Sequence, residues 1–255
     1  VLALTSGGSL FGWGENSGGQ VGDGTLLNRN TPGVVTLPDG AFFQVSVDGG
    51  PFGPSASPFV AAGLAEGPHT LDVSAVDAAG NADPTPATHA WTVDLTPPDS
   101  FFTVTPPVAS SVDFATFEFA ATEPGVAFFR RVDGGPVEPA FSPDTVFGLS
   151  EGVHTYEIAA ADPAGNADPT PAAFTWTVDL TPPGTLILSG PPPVTNLTDA
   201  AFDFASEPGA VFESSLDGAP FAPAAPPENL ANLAEGAHVY AVRAIDPAGN
   251  ADPNP

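Results

Sequence analysis

The residues best suited to metal binding or catalysis lie in an acidic motif that occurs three times in the sequence. It reads DAAGNADPTPA from Asp77, DPAGNADPTPA from Asp162 and DPAGNADPNP from Asp246. Each copy places two Asp and at least one Asn close together, and carboxylate and amide oxygens are ligands that calcium prefers. The phrase could therefore hold calcium, act as a catalytic loop or form a turn.

Strand alternation favours the turn. In the second copy apolar residues alternate from Tyr156 to Ala160, which predicts a half-buried antiparallel strand. Asp162 continues that alternation, so we expect its carboxylate at the rim of the core. Backbone N–H groups of the residues up to Asn166 can satisfy it there, as in an Asx-turn. Gly165 can adopt the positive φ that such a turn requires.

A calcium site is the more specific alternative to a simple turn, because acids from the domain junctions add to those of the loop. Calcium takes about six to eight oxygen ligands, and the alternating ligand pattern of an EF-hand is absent. Catalysis is disfavoured, since the loop recurs without a specialised copy or a partner base, and we expect no enzyme activity. The candidate ligands are Asp162, Asn166 and Asp168 from the loop, with Asp94, Asp99 and Asp179 from the junctions VDLTPPD and VDLTPPG.

Three histidines also occupy equivalent positions, namely His69, His154 and His238. A zinc site needs about three ligands close together. Each of these histidines belongs to a different copy, and His89 is the only other histidine in the sequence. We therefore interpret each one as a structural hydrogen-bonding group at the start of a strand.

A long repeat positions these residues. The first Asp of the phrase recurs after 85 and then 84 residues, a length typical of a whole small domain. Strand candidates such as ATFEFAA, VAFFRRV and FTWTVDL are separated by Gly, Pro and Asp clusters, and no segment has a helical period. Several short strands per unit indicate a β-sandwich.

Composition limits the partners. The 255 residues include 30 Asp and Glu against four Arg, for a net charge of −26, so nucleic acid and anionic membranes, which need basic patches, are not expected partners. No apolar run reaches the ~18 residues of a membrane helix, so we expect no membrane insertion. No signal peptide is visible, and the missing initiator Met is typical of a mature or cut fragment. Without cysteine, disulfides and thiolate sites are excluded.

The stretch EGVHTYEIAAADPAGNADPTPAAFTWTVDLTPP resembles the tandem Ig-like repeats of large bacterial surface and secreted proteins, over roughly residues 38–255. The resemblance implies an all-β fold of tandem Ig-like β-sandwiches in an elongated array. Such repeats often carry two cysteines beside the LDG turn, so the resemblance also implies that a local disulfide has been lost in every copy. The corresponding positions are Val45 and Ser55, Arg130 and Ala140, and Ser214 and Ala224.

The first segment differs from the rest. It resembles one repeat of the RCC1 family, whose repeats build β-propellers, through ALT, GWGEN, GGQVGDGT and Pro32. The resemblance implies a β segment in which Trp13 packs between blades, but one blade cannot close a propeller. None of the activities of that family carries over to this segment.

Four regions follow from these comparisons within the chain: an RCC1-like β repeat over 1–37, an Ig-like repeat lacking its first strands over 38–98, a complete Ig-like repeat over 99–183, and one lacking its last strand over 184–255. Open sandwich edges invite pairing and can be completed by strand donation. An excerpt of a longer chain would show the same gaps, and the two explanations are compatible.

The function expected is that of an extracellular or cell-surface structural protein, a spacer, stalk or fibre subunit assembled by strand complementation between chains. Its partners would be other copies or a neighbouring repeat of the same chain. The alternative is an adhesin or ligand-binding module that displays a site on loops or on the RCC1-like segment. Asn196 lies in an NLT glycosylation sequon, which matters only if the source modifies such sites.

Overall fold

The computed structural model describes residues 40–255 and, before them, the backbone of residues 2–4, 10–14 and 29–34. All elements in these ranges are β-strands, which confirms the predicted all-β class. None of the described residues belongs to a helix of the length and hydropathy needed to cross a membrane. The chain divides into two compact units, Val1–Thr96 and Pro97–Pro255.

The described residues of unit 1 form two antiparallel sheets. The first has the order β1-β2-β3 and falls in the predicted RCC1-like segment, while the packing predicted for the Trp13 side chain lies outside the described residues. The second has the order β5-β4-β6-β7. The strands are β1 (Leu2–Leu4), β2 (Leu10–Gly14), β3 (Arg29–Val34), β4 (Phe42–Val47), β5 (Gly53–Ser55), β6 (Gly67–Val76) and β7 (Ala87–Val93).

The second sheet of unit 1 corresponds to one half of a sandwich. Val45 pairs with Val73 and Val47 with Leu71, so apolar residues of β4 and β6 share one face, as alternation predicts. That face is only partly covered, since Leu71 is buried but Val73 and Trp91 are half-buried.

Unit 2 begins with a complete sandwich of two sheets, ordered β13-β10-β8 and β12-β11-β14-β15-β9. Phe117, Tyr156 and Trp176 meet between the sheets and are at most 1% exposed. Phe117 stacks on Tyr156 at 4.1 Å between ring centroids and meets Trp176 edge-on at 5.3 Å. The strands are β8 (Ser100–Val104), β9 (Ala109–Ser110), β10 (Phe114–Ala121), β11 (Ala127–Val132), β12 (Glu138–Ala140), β13 (Asp144–Phe147), β14 (Gly152–Ala161) and β15 (Ala172–Val178).

A second sandwich follows in the same unit, with sheets ordered β16-β17-β20 and β19-β18-β21. Here β21, the counterpart of β14, is an edge strand, because no described strand occupies the position of β15. The strands are β16 (Leu186–Ser189), β17 (Ala200–Ala205), β18 (Val211–Leu216), β19 (Ala222–Ala224), β20 (Glu228–Leu230) and β21 (Tyr240–Ile245).

A polar contact joins the two sheets near Arg130 and Ala140, the positions at which the resemblance implies a lost disulfide. In the second repeat Arg130 donates to both carboxylate oxygens of Asp144 at 2.9 and 2.8 Å. The Tyr156 hydroxyl donates to the same carboxylate at 2.7 Å. In the third repeat Tyr240 donates to Glu228 at 2.6 Å. A tyrosine and a carboxylate thus join the two sheets in both repeats.

Candidate functional site

The repeated acidic phrase forms the predicted turn in each copy. In the second repeat, Oδ1 of Asp162 accepts hydrogen bonds from the N–H groups of Gly165 at 2.7 Å and Asn166 at 2.8 Å. Oδ2 accepts from the Asn166 side-chain amide at 2.7 Å. Gly165 has a φ of 97°, in the left-handed region that favours glycine. The Asx-turn interpretation is therefore confirmed.

The same closure recurs in the other two copies. Asp246 accepts from the N–H groups of Gly249 and Asn250 at 2.7 and 2.8 Å, and Asp77 accepts from Asn81 N–H at 2.8 Å. Burial raises the pKa of Asp246, but the hydrogen bonds from Asn250 outweigh it, so the pKa lies below its usual value. These carboxylates remain ionised because their own turn stabilises the charged form.

The second Asp of the phrase joins the two sheets. Oδ2 of Asp168 accepts from the N–H of Ser100 at 2.9 Å and also from the Ser100 hydroxyl. Oδ1 accepts from Thr170 N–H at 2.8 Å. In the third repeat Asp252 accepts from Thr185 N–H at 2.7 Å. Sequence reasoning placed Asp168 among the candidate calcium ligands. In the structure its Oδ2 holds the first strand of the sandwich and its Oδ1 closes its own turn.

Each repeated histidine lies between two acceptors. Nδ1 of His154 is 2.7 Å from Oδ2 of Asp133, and Nε2 is 2.7 Å from the carbonyl of Ser150. Because both neighbours accept, this geometry favours the imidazolium form, in which both ring nitrogens donate. Asp133, at a φ of 51°, also accepts from Thr155 N–H at 2.7 Å. The predicted structural hydrogen bond at the strand start is confirmed.

The other two histidines repeat this geometry. His69 contacts Asp48 at 2.8 Å, and His238 contacts Asp217 at 2.7 Å. Burial lowers the pKa of His154, but the bonds to Ser150 and Asp133 outweigh it and hold the pKa above its usual value. The His–Asp pair therefore links the turn after one strand to the start of the strand that pairs with it.

The predicted junction ligands accept hydrogen bonds within the protein as well. Asp94 accepts from Thr96 N–H at 3.1 Å, Asp179 from Thr181 N–H at 3.1 Å, and Asp99 from the Thr170 hydroxyl at 3.3 Å. Asp179 lies close to two further acids of unit 2. Asp179, Glu207 and Asp246 each present a carboxylate oxygen, and the three oxygens lie within 4.8 Å of one another.

This group lies where the second and third repeats adjoin. Asn250 donates to the Asp179 carbonyl at 2.7 Å and to Asp246 at 2.8 Å, so its position is fixed by the turn. Sequence reasoning missed Glu207, although EPG recurs at 123–125 and 207–209. Three carboxylates supply fewer than the about six ligands that calcium needs, so backbone carbonyls or water would complete the shell. The calcium hypothesis stays a prediction.

Comparison with known families gives one match. The model of the Regulator of chromosome condensation (RCC1) repeat matches residues 7–50. The match covers well under half of the chain. It extends beyond residue 37, where we placed the end of the RCC1-like segment, and includes all of β4. No curated protein matches the chain.

Several solved structures are similar to the chain. Fibronectin(III)-like modules of Clostridium thermocellum CbhA show 19% identity and a TM-score of 0.33, covering 58% of this chain and 83% of theirs. Chicken CNTN1 FN1–FN3 domains show 10% identity and a TM-score of 0.37, covering 84% and 85%. A tetra-tandem repeat in the extending region of a large adhesion protein shows 16% identity and a TM-score of 0.27, covering 83% and 64%.

The paired sheets of unit 2 show β-sandwich repeats directly. The chain thus combines an N-terminal match to the RCC1 repeat with all-β sandwich repeats.

Proposed function

We propose that this chain is a non-catalytic structural repeat protein of the bacterial cell surface or the extracellular space. One observation carries the proposal. The polar residues that recur in all three repeats, which were the strongest candidates for chemistry, are hydrogen-bonded within their own turns and strand starts. Asp162, Asp168 and His154 each stabilise the repeat that contains them. Repetition of such residues is expected of a module whose role is to be added in series.

The proposed role is that of a spacer, a stalk or a fibre subunit. The Pro-rich TPP joints support it, because proline restricts its own φ and the preceding residue. The net charge of −26 favours solubility through self-repulsion. The resemblance of the repeats to those of bacterial surface and secreted proteins supports the extracellular location, and recovery of the native protein only from a cytoplasmic fraction would contradict that location.

The test of the spacer role compares removal of a whole repeat with changes confined to loops. Deleting residues 99–183 should shorten the particles seen by electron microscopy by one domain. Substituting exposed loop residues in any single repeat should leave particle length and assembly unchanged. If a loop change in one repeat alone abolished the protein's interactions, the spacer role would be wrong.

A binding role is the second candidate, and one surface feature favours it. Phe141 is 83% exposed after β12, and Val137, before that strand, is 64% exposed. The first and third repeats carry alanine at the position of Phe141, so this apolar pair is particular to the second repeat. An adhesin would lose binding on Phe141→Ser, whereas a spacer would not respond to that substitution.

The fibre form of the proposal rests on the edge strand of the third repeat. Edge strands present unpaired backbone groups to which another chain can pair. Uniform filaments of the purified chain in electron micrographs would support assembly by strand complementation. Particles that stay monomeric at every concentration tested would exclude it and leave the spacer role alone.

A further inference from the structure

The joint between the second and third repeats, residues 179–184, is anchored first to the second repeat. Asp179 N–H donates to the Ser110 carbonyl of β9 at 2.9 Å. The Thr181 hydroxyl donates to the Glu151 carboxylate at 2.9 Å, and Glu151 immediately precedes β14. The chain is therefore held by the second repeat as far as Thr181.

The same joint is anchored to the third repeat soon afterwards. The Gly184 carbonyl accepts a hydrogen bond from the Ser206 hydroxyl at 2.8 Å. Between Thr181 and Gly184 lie Pro182 and Pro183, and Pro183 is buried. Proline fixes its own φ and keeps the ψ of the preceding residue in the extended region. The ψ of Pro183 is therefore the only torsion of the two prolines that stays soft.

The acidic motif of the third repeat, which begins at Asp246, reaches back across this joint. The side-chain amide of Asn250 donates to the Asp179 carbonyl at 2.7 Å and to Oδ2 of Asp246 at 2.8 Å. Asp246 also accepts from the N–H groups of Gly249 and Asn250, so the turn itself holds the amide in place. A single side chain of the third repeat is thus bonded to the backbone of the second.

Packing brings the same turn close to the second repeat. A Cβ atom added at Gly249 would lie 3.8 Å from Oγ of Ser111, and Gly249 has a φ of 97°. Ser111 directly follows β9, the strand whose Ser110 holds Asp179. The turn therefore lies beside the strand that anchors the joint, in addition to its bond with the joint itself.

Charge repulsion opposes this contact. Asp179 of the second repeat and Glu207 and Asp246 of the third each present a carboxylate oxygen within 4.8 Å of the other two. Like charges at this separation repel, so they favour separation of the repeats at this point. The Asn250 amide counteracts the repulsion, because it donates to one acceptor on each side of the joint.

We infer that the acidic motif of the third repeat is a docking element that binds the preceding joint through Asn250 and locks the second and third repeats in one orientation. The prolines limit the orientations available to the joint, and the Asn250 bond selects one of them. This inference deepens the proposed spacer role, on which it rests for its biological meaning, because repeats of fixed orientation hold their ends at a set distance.

The test measures the distance between the two repeats with one spin label on each. The chain has no cysteine, so Ala173→Cys in β15 and Ala201→Cys in β17 provide two unique labelling sites, both at exposed positions. Double electron–electron resonance of the labelled full chain in EGTA should give one narrow distance distribution. A broad or multimodal distribution would overturn the inference.

The same measurement separates the asparagine from a bound ion. If the distribution is broad in EGTA and becomes narrow only when calcium is added, an ion and not Asn250 locks the joint, and the inference is wrong. A distribution that is equally narrow with and without calcium supports docking by the amide.

Asn250→Ala and Asn81→Ala form a matched pair of variants in the labelled chain. Both remove the asparagine of the same turn, in the third and in the first repeat, so both should lower the melting temperature. Asn250→Ala should broaden or split the distance distribution. Asn81→Ala should leave it unchanged, because both labels lie outside the first repeat. Identical distributions in the two variants would show that Asn250 does not lock the joint.

A second matched pair leaves the turn of the third repeat intact, in case Asn250→Ala loosens that repeat. Thr181→Val removes the hydroxyl that anchors the joint to Glu151. Thr96→Val removes the counterpart, which donates to Glu66 at 2.6 Å in the first repeat. Thr181→Val should broaden the distribution and Thr96→Val should not. The same response from both variants would contradict a joint held at these anchors.

The outcomes distinguish this inference from the spacer role. A narrow distribution that broadens in Asn250→Ala supports the docking contact, whether or not deletion of residues 99–183 shortens the particles. A broad distribution in the labelled parent chain overturns the docking contact and leaves the spacer role standing as that of a flexible tether.

Discussion

The second and third repeats are two versions of one sandwich that differ by a single strand. Both keep the stacked Phe–Tyr pair, at 4.1 Å in the second repeat and 3.9 Å in the third. Both keep the Asx-turn and the Asp that holds the first strand. Only the second repeat has β15. Phe117 and Tyr156 are 0% exposed there, whereas their counterparts in the third repeat, Phe202 and Tyr240, are half-buried. The comparison shows that the turns and polar contacts form without β15, whereas closure of the core requires it.

The largest expected difference between the repeats concerns the stacked phenylalanine. Phe117→Ala opens a cavity in a closed core and should lower the free energy of unfolding by about 3–5 kcal/mol. Phe202→Ala removes a half-buried ring and should cost less than half of that. Urea denaturation of both variants measures the difference. Equal losses would mean that the third repeat is closed in solution and would break the comparison.

The second prediction concerns a contact that the two repeats share. Asp168→Asn and Asp252→Asn keep the side-chain shape but turn an amide toward a backbone N–H donor. Each should cost about 1–2 kcal/mol, and the two losses should be similar because β8 and β16 are held in the same way. Thermal melts measure both. A loss confined to Asp168→Asn would indicate that the third repeat is not held by this contact.

The third prediction follows from the histidines. The pKa of His154 is raised above its ordinary value of about 6.5, so its stabilising contribution is fully present below that pH and is lost as the pH rises through the raised pKa. The pKa of Asp133 is lowered, because its hydrogen bonds from Thr155 and His154 outweigh burial, so its contribution is lost in acid. Melting temperature should therefore be highest between about pH 4 and 6.5 and fall on the alkaline side.

Replacing the histidine should change the pH dependence of the melting temperature more in the second repeat than in the third. The side chain of His154 is 7% exposed and that of His238 is 26% exposed, so solvent screens the latter pair more. His154→Gln should flatten the alkaline fall more than His238→Gln does. An alkaline fall that persists unchanged in His154→Gln would show that the imidazolium does not stabilise the repeat.

The smallest effect is expected at the acids between the repeats. Because Asp179, Glu207 and Asp246 repel one another, Glu207→Gln should raise the melting temperature slightly without divalent ions. If calcium binds there, adding it should stabilise the natural chain and have less effect on Glu207→Gln than on the exposed control Glu235→Gln. A melting temperature that responds neither to calcium nor to EGTA would make the calcium hypothesis wrong.

Local features were predictable from the sequence and distant contacts were not. Alternation along one strand placed Asp162 at the rim of the core. Its turn was predictable as well, because the residues that form it follow Asp162 directly in the sequence. The contact of Arg130 with Asp144 joins two sheets, and Glu207 approaches Asp246 from another strand end. Neither follows from spacing within a single segment.

The most direct test of the account compares amide exchange at equivalent positions of one molecule, with no ligand added. The amides of Tyr156 and Ile158 lie between β14 and β15, whereas those of Tyr240 and Val242 face the open edge of β21. We predict that Tyr240 and Val242 exchange much faster than Tyr156 and Ile158, while Ala241, which pairs with Ser215 of β18, stays protected. Equal protection of Tyr240 and Tyr156 would contradict the claim that the third repeat is an open form of the second.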